Sequence, residues 1–349
     1  MKVAWLTARC FGSDLCDTTQ SELAKGLAKK GIELTVYSPG ELLSEDFNHV
    51  SIKRSRIKGL QTISVIRGIT NHLSNINTMD CVLVDWKLSG ILSKLTPRWV
   101  LIDRGPPADS NLMSKFQWRS WKRGWKMAEK GCVVSAQHQQ FVEDRVEQQE
   151  RRITVLPACV DTSLFNILER RGPIRLVYHG RMDRHRGIDT VLRLFKSLEN
   201  KNGEFELYLH GKGPMYEKIR SQAIDNVTVT GRLERAEVAE RLATYDIGLL
   251  PMPPRTIWKL ASPLKRAEYL GSGLCVLGID HEGHRLPDRS PATFMKLYPQ
   301  SEFLEQAQAW LSGLKRQALT KEQRESRKYA EQRLQWSQSV DALFEIIRE

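Results

Sequence analysis

The run Ser262-Pro263-Leu264-Lys265-Arg266-Ala267-Glu268-Tyr269-Leu270-Gly271-Ser272-Gly273 brings together residue types that could hold a phosphate. Ser262 suits a helix N-cap, and Pro263 suits the first helical position, where its missing N–H is not needed. Gly271 or Gly273 can take the left-handed stop before the short apolar strand 274–279. Such a helix leaves its first-turn N–H groups unbonded, with the positive end of the helix dipole behind them. Lys265 and Arg266 add charge, which makes a phosphate-bearing ligand the natural guest. Glu268 stands one turn further on, near the face of Leu264 and Lys265, where a carboxylate could hold sugar hydroxyls. The same residues also fit an ordinary surface helix of an α/β domain.

Three more glycine-bearing turns precede this helix, each behind a strand. Gly180-Arg181 follows the strand 174–179, Gly211-Lys212-Gly213-Pro214 follows 206–210, and Gly231-Arg232 follows 227–230. The helix itself follows 246–250 through a proline-rich loop. In an open α/β sheet such turns lie at the carboxyl edge of the strands, where ligands bind. Glycine permits close backbone approach, and the neighbouring cations can neutralise a diphosphate. Any one of these turns alone is a plain tight turn; four on one edge describe a site.

Strand and helix signals alternate along the 349 residues, a length that suggests two domains. In the first half, 3–7, 32–37, 81–84, 99–102 and 131–135 read as strands, in continuous apolar runs suited to a parallel sheet covered on both faces. A polar, turn-rich break at 157–173 separates them from a second series. The expected fold is α/β, with two doubly wound Rossmann-like domains and an interdomain cleft. Residues 1–165 form the first domain and 166–332 the second; 333–349 is a helix packing back toward the first domain. Hydrophobic content of 41% and charged content of 27% suit a soluble globular core. The formal charge of +12 favours anionic partners without choosing among phosphorylated ligands, nucleic acid and acidic membrane. The short apolar run near Met1 reads as a first strand rather than a signal peptide, and no run approaches a membrane span. Six scattered cysteines without a CxxC pair indicate neither zinc nor a disulfide framework, so a reducing cytoplasm is the expected setting.

Taken in order, the second-half motifs resemble family 4 glycosyltransferases of the GT-B fold. Gly180-Arg181-Met182-Asp183-Arg184-His185-Arg186-Gly187-Ile188-Asp189 looks like the family's GRxxxxKGxD segment. Gly211-Lys212-Gly213-Pro214 looks like its GxGP turn, and Tyr245-Asp246-Ile247-Gly248-Leu249-Leu250-Pro251 like its ADI..LP strand. The 262–273 run resembles the SPLKxxEYLxxG form of the donor helix, and 153–165 resembles the linker segment IxVxPNGVDxxxF. The resemblance covers nearly all of 150–290 and is thin before it.

The resemblance implies a retaining transferase that uses a nucleotide sugar and needs no metal or other cofactor. It makes Arg181 and Arg186 the clamp on the donor diphosphate and gives the ribose to Glu268. It lines the diphosphate with Ser262, Leu264 and Lys265, and sets Gly231 and Arg232 near the base. The glycines Gly180, Gly211 and Gly213 belong to the same donor site. Arg186 stands where the family usually has Lys, which keeps the charge but adds a bidentate fork. Leu260 occupies the first position of the family's E-x7-E pair, as is common in the SPLK subgroup, and Cys159 replaces the usual linker glycine. No family histidine follows the early strands; Asp85 and Asp103 stand at those strand ends.

In the first half, the loop Arg9-Cys10-Phe11-Gly12-Ser13-Asp14 follows the first strand, and Gly12 would let backbone approach the donor unless the loop is a plain β–α turn. Asp103-Arg104-Gly105-Pro106-Pro107 is a stiff loop whose Asp103 or Arg104 is expected to touch acceptor or sugar; a salt bridge fixing the loop is the alternative. If 115–126 is helical, Trp118, Trp121 and Trp125 share one face, and Arg119, Lys122, Arg123 and Lys126 line the adjoining one. That pattern fits a helix lying on an anionic membrane surface, or equally tryptophans packed inward beneath solvated cations. His281 and His284 flank Glu282-Gly283 without further metal ligands. The acceptor is a glycan, a lipid-linked molecule or a small molecule. Other readings are a nucleic-acid-binding protein, for which no RRM, KH or zinc-finger signature is present, and a GT-B relative that binds or epimerises nucleotide sugars. A dinucleotide oxidoreductase lacks its GxGxxG after the first strand.

Overall fold

The computed structural model describes residues 1–11, 17–41, 44–57, 59–107, 112–147, 151–198 and 203–349. The chain divides into two compact units, Met1–Ala158 with Trp336–Glu349, and Cys159–Gln335.

The first unit holds β1 (Lys2–Leu6), β2 (Glu33–Ser38), β3 (Asn48–Ser51), β4 (Cys81–Asp85), β5 (Arg98–Ile102), β6 (Lys130–Val133) and β7 (Arg152–Val155). They form one parallel sheet in the order β3-β2-β1-β4-β5-β6-β7. The second unit holds β8 (Ile174–His179), β9 (Phe205–His210), β10 (Val227–Thr230), β11 (Ile247–Leu250), β12 (Cys275–Ile279) and β13 (Met295–Tyr298). Its parallel order is β10-β9-β8-β11-β12-β13. Both are doubly wound α/β sheets, as expected, and the order reverses beside β1 and β8, where ligands of such sheets bind.

Central strands are the continuous apolar runs. Every residue of β4, β11 and β12 is buried, because helices cover both faces of a parallel sheet. The strands β3, β7 and β13, not expected from the sequence, lie at sheet edges and contain no fully buried residue.

The unit boundaries differ from those expected. The segment after Ala158 is tied to the second unit: Val160 N–H donates to Leu334 O (2.8 Å), and the Arg327 guanidinium donates to the carbonyls of Thr162, Phe165 and Gly271. The last stretch forms two helices, Arg316–Arg333 and Trp336–Arg348, the second within the expected 333–349. The second of these packs on the helix Asp17–Lys29 of the first unit, where Gly26 leaves room for Val340 and Lys30 pairs with Asp341 at 2.7 Å.

The helix Leu264–Gly271 is seated on β11 by one small-to-large contact. Tyr269 lies against Gly248, where any Cβ would run into the ring. The helix ends as the glycines suggested, at Gly273 (φ 66°). Leu274 N–H reaches back to Tyr269 O (2.9 Å) and Gly273 N–H to Leu270 O (3.0 Å), a Schellman stop. Its start differs: Leu264 is the first helical residue and Pro263 the extended residue before it, so Ser262 lies one position too early to cap. Gly248→Ala is expected to displace Tyr269 and lower stability by about 1–3 kcal/mol, measured by urea unfolding.

Candidate functional site

The four expected turns follow adjacent parallel strands, in the order β10, β9, β8, β11, and so share one carboxyl edge. Their backbones interlock. Gly180 N–H donates to His210 O (2.8 Å), Met182 N–H to Lys212 O (3.0 Å), and Gly211 N–H to Gly231 O (3.0 Å). A Cβ on Gly211 would overlap the Gly180 carbonyl, one on Gly213 the Met182 carbonyl, and one on Gly187 the Pro251 carbonyl. Gly211 (φ 140°) and Gly187 (φ 76°) also hold conformations that disfavour a side chain.

Charged groups gather on this edge. Arg181 Nε lies 3.2 Å and Arg186 Nε 3.8 Å from the same Asp183 Oδ2. The two differ in setting: the Arg181 side chain is 57% exposed and Arg186 16%, the latter lying over the Trp258 ring at 5.1 Å. Lys265 is buried, with Nζ 4.2 Å from the Tyr178 ring centre and beside Gly180, whose missing Cβ would stand 3.1 Å away. Among the described residues, Lys265 Nζ has no hydrogen-bond partner. Burial, with Arg186 adding to it and Glu268 and Asp183 opposing, pushes the Lys265 amine down to about 7 from 10.5.

Glu268 is buried one turn along, its Oε2 3.1 Å from His179 Nε2. The pair is close but poorly aligned for a hydrogen bond, so both atoms keep bonding capacity toward a third group. The His179 ring is edge-on to Tyr269, whose hydroxyl accepts the backbone N–H of His179 at 3.3 Å. Arg181, Arg186, Lys265 and Glu268 thus form one connected cluster on the carboxyl edge of the second sheet. Asp183 and Trp258, which orient the guanidinium groups, were not singled out from sequence. The Asp lies inside the GRMDR motif; nothing in sequence spacing links Trp258 to Arg186.

Other expected residues fall as follows. Leu264 opens the helix and is half-buried. Ser262 is half-buried too, and its hydroxyl accepts from Arg266 Nη2 at 3.2 Å. Arg266 does not add charge to the helix start as expected. It turns inward, buried, and donates to the carbonyls of Gly283 and Arg285; burial pushes its pKa down to about 10. Gly231 lies beside Lys212, and Arg232 is exposed. Leu260 is buried, an apolar wall where the family pattern has a carboxylate. His281 and His284 are buried and stacked at 3.8 Å, each bonded to a backbone carbonyl, Met252 O and Ile279 O. Gly12 lies outside the described residues.

Asp103 requires a correction. It is fully buried in the first unit and was expected to touch acceptor or sugar. Its carboxylate is instead occupied by protein: Oδ2 accepts the indole N–H groups of Trp121 (2.6 Å) and Trp125 (2.8 Å), and Oδ1 accepts Gly105 N–H (2.9 Å). His138 Nε2 stands 3.2 Å away. Burial alone would raise its pKa, but His138, Trp125 and Gly105 hold it below the usual carboxylate range. The expected alternative was a salt bridge from this aspartate to an arginine; the donors to Asp103 are indoles and a backbone N–H, and Arg104 donates to Leu156 O at 3.2 Å. Asp85, at the end of β4, is buried as well and accepts the Thr7 hydroxyl; burial raises its pKa.

Residues 173–309 match the family described as Glycosyl transferases group 1. A sucrose-phosphate synthase from Thermosynechococcus elongatus superposes with TM-score 0.76 at 13% identity, over 99% of this chain and 98% of that one. WaaG, a glycosyltransferase involved in lipopolysaccharide biosynthesis, superposes with TM-score 0.74 at 16% identity, over 99% of each chain. HepE from Anabaena, solved with UDP and glucose, superposes with TM-score 0.72 at 11% identity, over 100% of this chain and 99% of that one. No curated protein matches by sequence. The fold is GT-B, two Rossmann-like parallel-sheet domains. The matched stretch, 173–309, lies wholly within the second unit.

Two outcomes test these placements. Asp103→Ala leaves two indoles and His138 without their buried partner and should cost about 3–5 kcal/mol in chemical unfolding. Lys265 holds its proton less tightly when folded than unfolded. Its cost to stability is therefore full below about 7 and fades as pH rises toward 10.5. Lys265→Met should accordingly melt higher than the parent, with the gap widest in mildly acidic buffer and closing in alkaline buffer.

Proposed function

We propose that the protein transfers a sugar from a nucleotide-sugar donor to a hydroxyl of a glycan, lipid-linked or small-molecule acceptor, with retention at the anomeric carbon. One observation carries this reading. A buried Lys265 Nζ without a hydrogen-bond partner among the described residues stands with Arg186 and Arg181 where glycine turns let a diphosphate approach the backbone. A buried ammonium left unpaired is costly, and an anion that restores its partner is the simplest compensation.

The second unit holds the donor. Arg181, Arg186 and Lys265 meet the diphosphate, and the first-turn N–H groups of the helix Leu264–Gly271 face the same edge. Glu268 accepts the ribose hydroxyls, with His179 beside it. Leu260 leaves the sugar to other contacts. UDP is the first nucleotide to try, because HepE and the pneumococcal O-GlcNAc transferase GtfA, both of this fold, were solved with it.

In the reaction, the bond between the anomeric carbon and the diphosphate oxygen breaks, and its electron pair stays on the phosphate. The acceptor oxygen bonds to the anomeric carbon from the same face, and its proton passes to the departing phosphate oxygen. The cations stabilise the growing phosphate charge, a role that preorganised charge fills well in a dry site. Because three side-chain cations serve it, the reading assigns no metal ion. The first unit takes the acceptor. The setting is cytoplasmic, with peripheral attachment to an anionic membrane through the cations of 115–126.

Titration calorimetry with UDP and GDP, together with slow hydrolysis of the matching nucleotide sugars, tests the donor reading without an acceptor. Arg186→Ala and Glu268→Ala should each weaken nucleoside diphosphate binding at least about tenfold while the melting curve stays cooperative. Unchanged binding in both variants would remove the donor site from this edge.

A further inference from the structure

The first unit shows a second surface that the donor reading does not use. Residues 47–79 contain Lys53, Arg54, Arg56, Lys58 and Arg67 and no Asp or Glu. Within this stretch the chain leaves β3 and makes a knuckle before the helix Gln61–Thr70. The knuckle is firmly built. Leu60 N–H donates to Ile57 O (3.2 Å), Ser55 N–H to Ser64 Oγ (2.8 Å), and Gly59 supplies the left-handed residue (φ 90°). Its base is anchored by buried Ile52, packed where Gly68 has no side chain, and by buried Val65 and Ile69.

What this scaffold displays is apolar. Ile57 is 64% exposed, Leu60 46% and Ile63 61%, fringed by exposed Lys53, Arg56 and Arg67. The helix Leu112–Met127 adds Phe116, 59% exposed, with exposed Lys115, Arg119, Lys122, Arg123 and Lys126; no Asp or Glu occurs in 110–128. None of these eight fringe cations has a carboxylate within ion-pair distance among the described residues. The two helices flank one segment. Both pack on the turn Trp86–Leu88; Ile66 reaches toward Gly90, and Ser120 Oγ meets Ser89 Oγ at 2.8 Å. Each follows a parallel strand, β3 or β5, so their N-terminal ends share the carboxyl edge of the first sheet.

The geometry points to the knuckle Ile57, Leu60 and Ile63 as the segment that enters an anionic lipid bilayer, with Phe116 beside it and the fringe cations on lipid phosphates. This rests on the membrane part of the reading above and not on its donor part, and it moves the anchor. The tryptophans follow the inward-packing alternative and are not available: Trp121 and Trp125 are fully buried on Asp103, and Trp118 is half-buried against Trp121 and Phe141. Exposed aliphatic side chains on a stretch that also exposes Lys53, Arg56 and Arg67 match the headgroup–acyl boundary, where burial of apolar area and attraction to anionic lipid act together. Nucleic acid would share the charge but stacks on aromatic rings, and three of the four displayed side chains are aliphatic.

Co-sedimentation with vesicles tests the proposal, using phosphatidylcholine alone and with about one-third phosphatidylglycerol. The parent should pellet with the mixed vesicles and not with phosphatidylcholine alone. The variant Ile57→Ser/Leu60→Ser/Ile63→Ser should partition at least about tenfold less, with an unchanged melting temperature. If that variant melts early, Ile57→Gln, changed in the exposed loop alone, takes its place and should still weaken pelleting. Lys122→Glu/Arg123→Glu/Lys126→Glu measures the helix separately. Release by the charge reversal with parental pelleting of the serine variant would leave membrane attachment standing and overturn the knuckle as anchor. A parent that stays in the supernatant with mixed vesicles overturns both, as does an oligonucleotide complex that outcompetes the vesicles.

Discussion

Backbone stands against backbone at the carboxyl edge of the second sheet, and everything proposed for the donor depends on that. Carbonyls of Gly180, Met182 and Pro251 occupy the volumes that Cβ atoms of Gly211, Gly213 and Gly187 would need. The turns after three neighbouring strands therefore close to a spacing that no other residue type permits. That closeness lets Arg181 and Arg186 meet one carboxylate, Asp183, and brings Lys265 from a different element to the flank of Gly180.

Two adjacent residues of one helix show how the fold separates structural charge from available charge. Arg266 and Lys265 are both buried. Arg266 turns onto the carbonyls of Gly283 and Arg285 and onto Ser262, so its charge is satisfied by the loop it holds in place. Lys265 points to the other side of the helix, over Tyr178, and meets desolvation without a hydrogen bond. A buried charge without a partner is costly, and a ligand that pairs with it offsets that cost.

The first unit applies the same rule with the opposite result. Asp103 is surrounded by donors, and the two tryptophans that bind it close the hydrophobic side of their helix. The polar group is spent on architecture. Apolar surface appears instead at Ile57, Leu60 and Ile63, on a hydrogen-bonded turn in a stretch that also exposes Lys53, Arg56 and Arg67. A patch of this kind is better explained by a partner than by packing.

Much of the architecture was legible from the chain because buried parallel strands are continuous apolar runs and their turns carry glycine. Residues 81–84, 246–250 and 274–279 declare themselves, and Gly180, Gly211, Gly231 and the 262–273 helix fall on one edge as their spacing requires. The edge strands β3, β7 and β13 did not declare themselves, since a half-covered strand has no need of an apolar run. By itself the sequence determined the α/β class, the glycine turns and which cations stand near them, because those follow from local pattern. Only the tertiary structure decided that Arg266 is structural while Lys265 is available, that Asp103 is enclosed, and that Ile57 faces out while Trp121 faces in. Each of those outcomes depends on which distant group fills the space beside a side chain, and residue spacing along the chain carries no record of that.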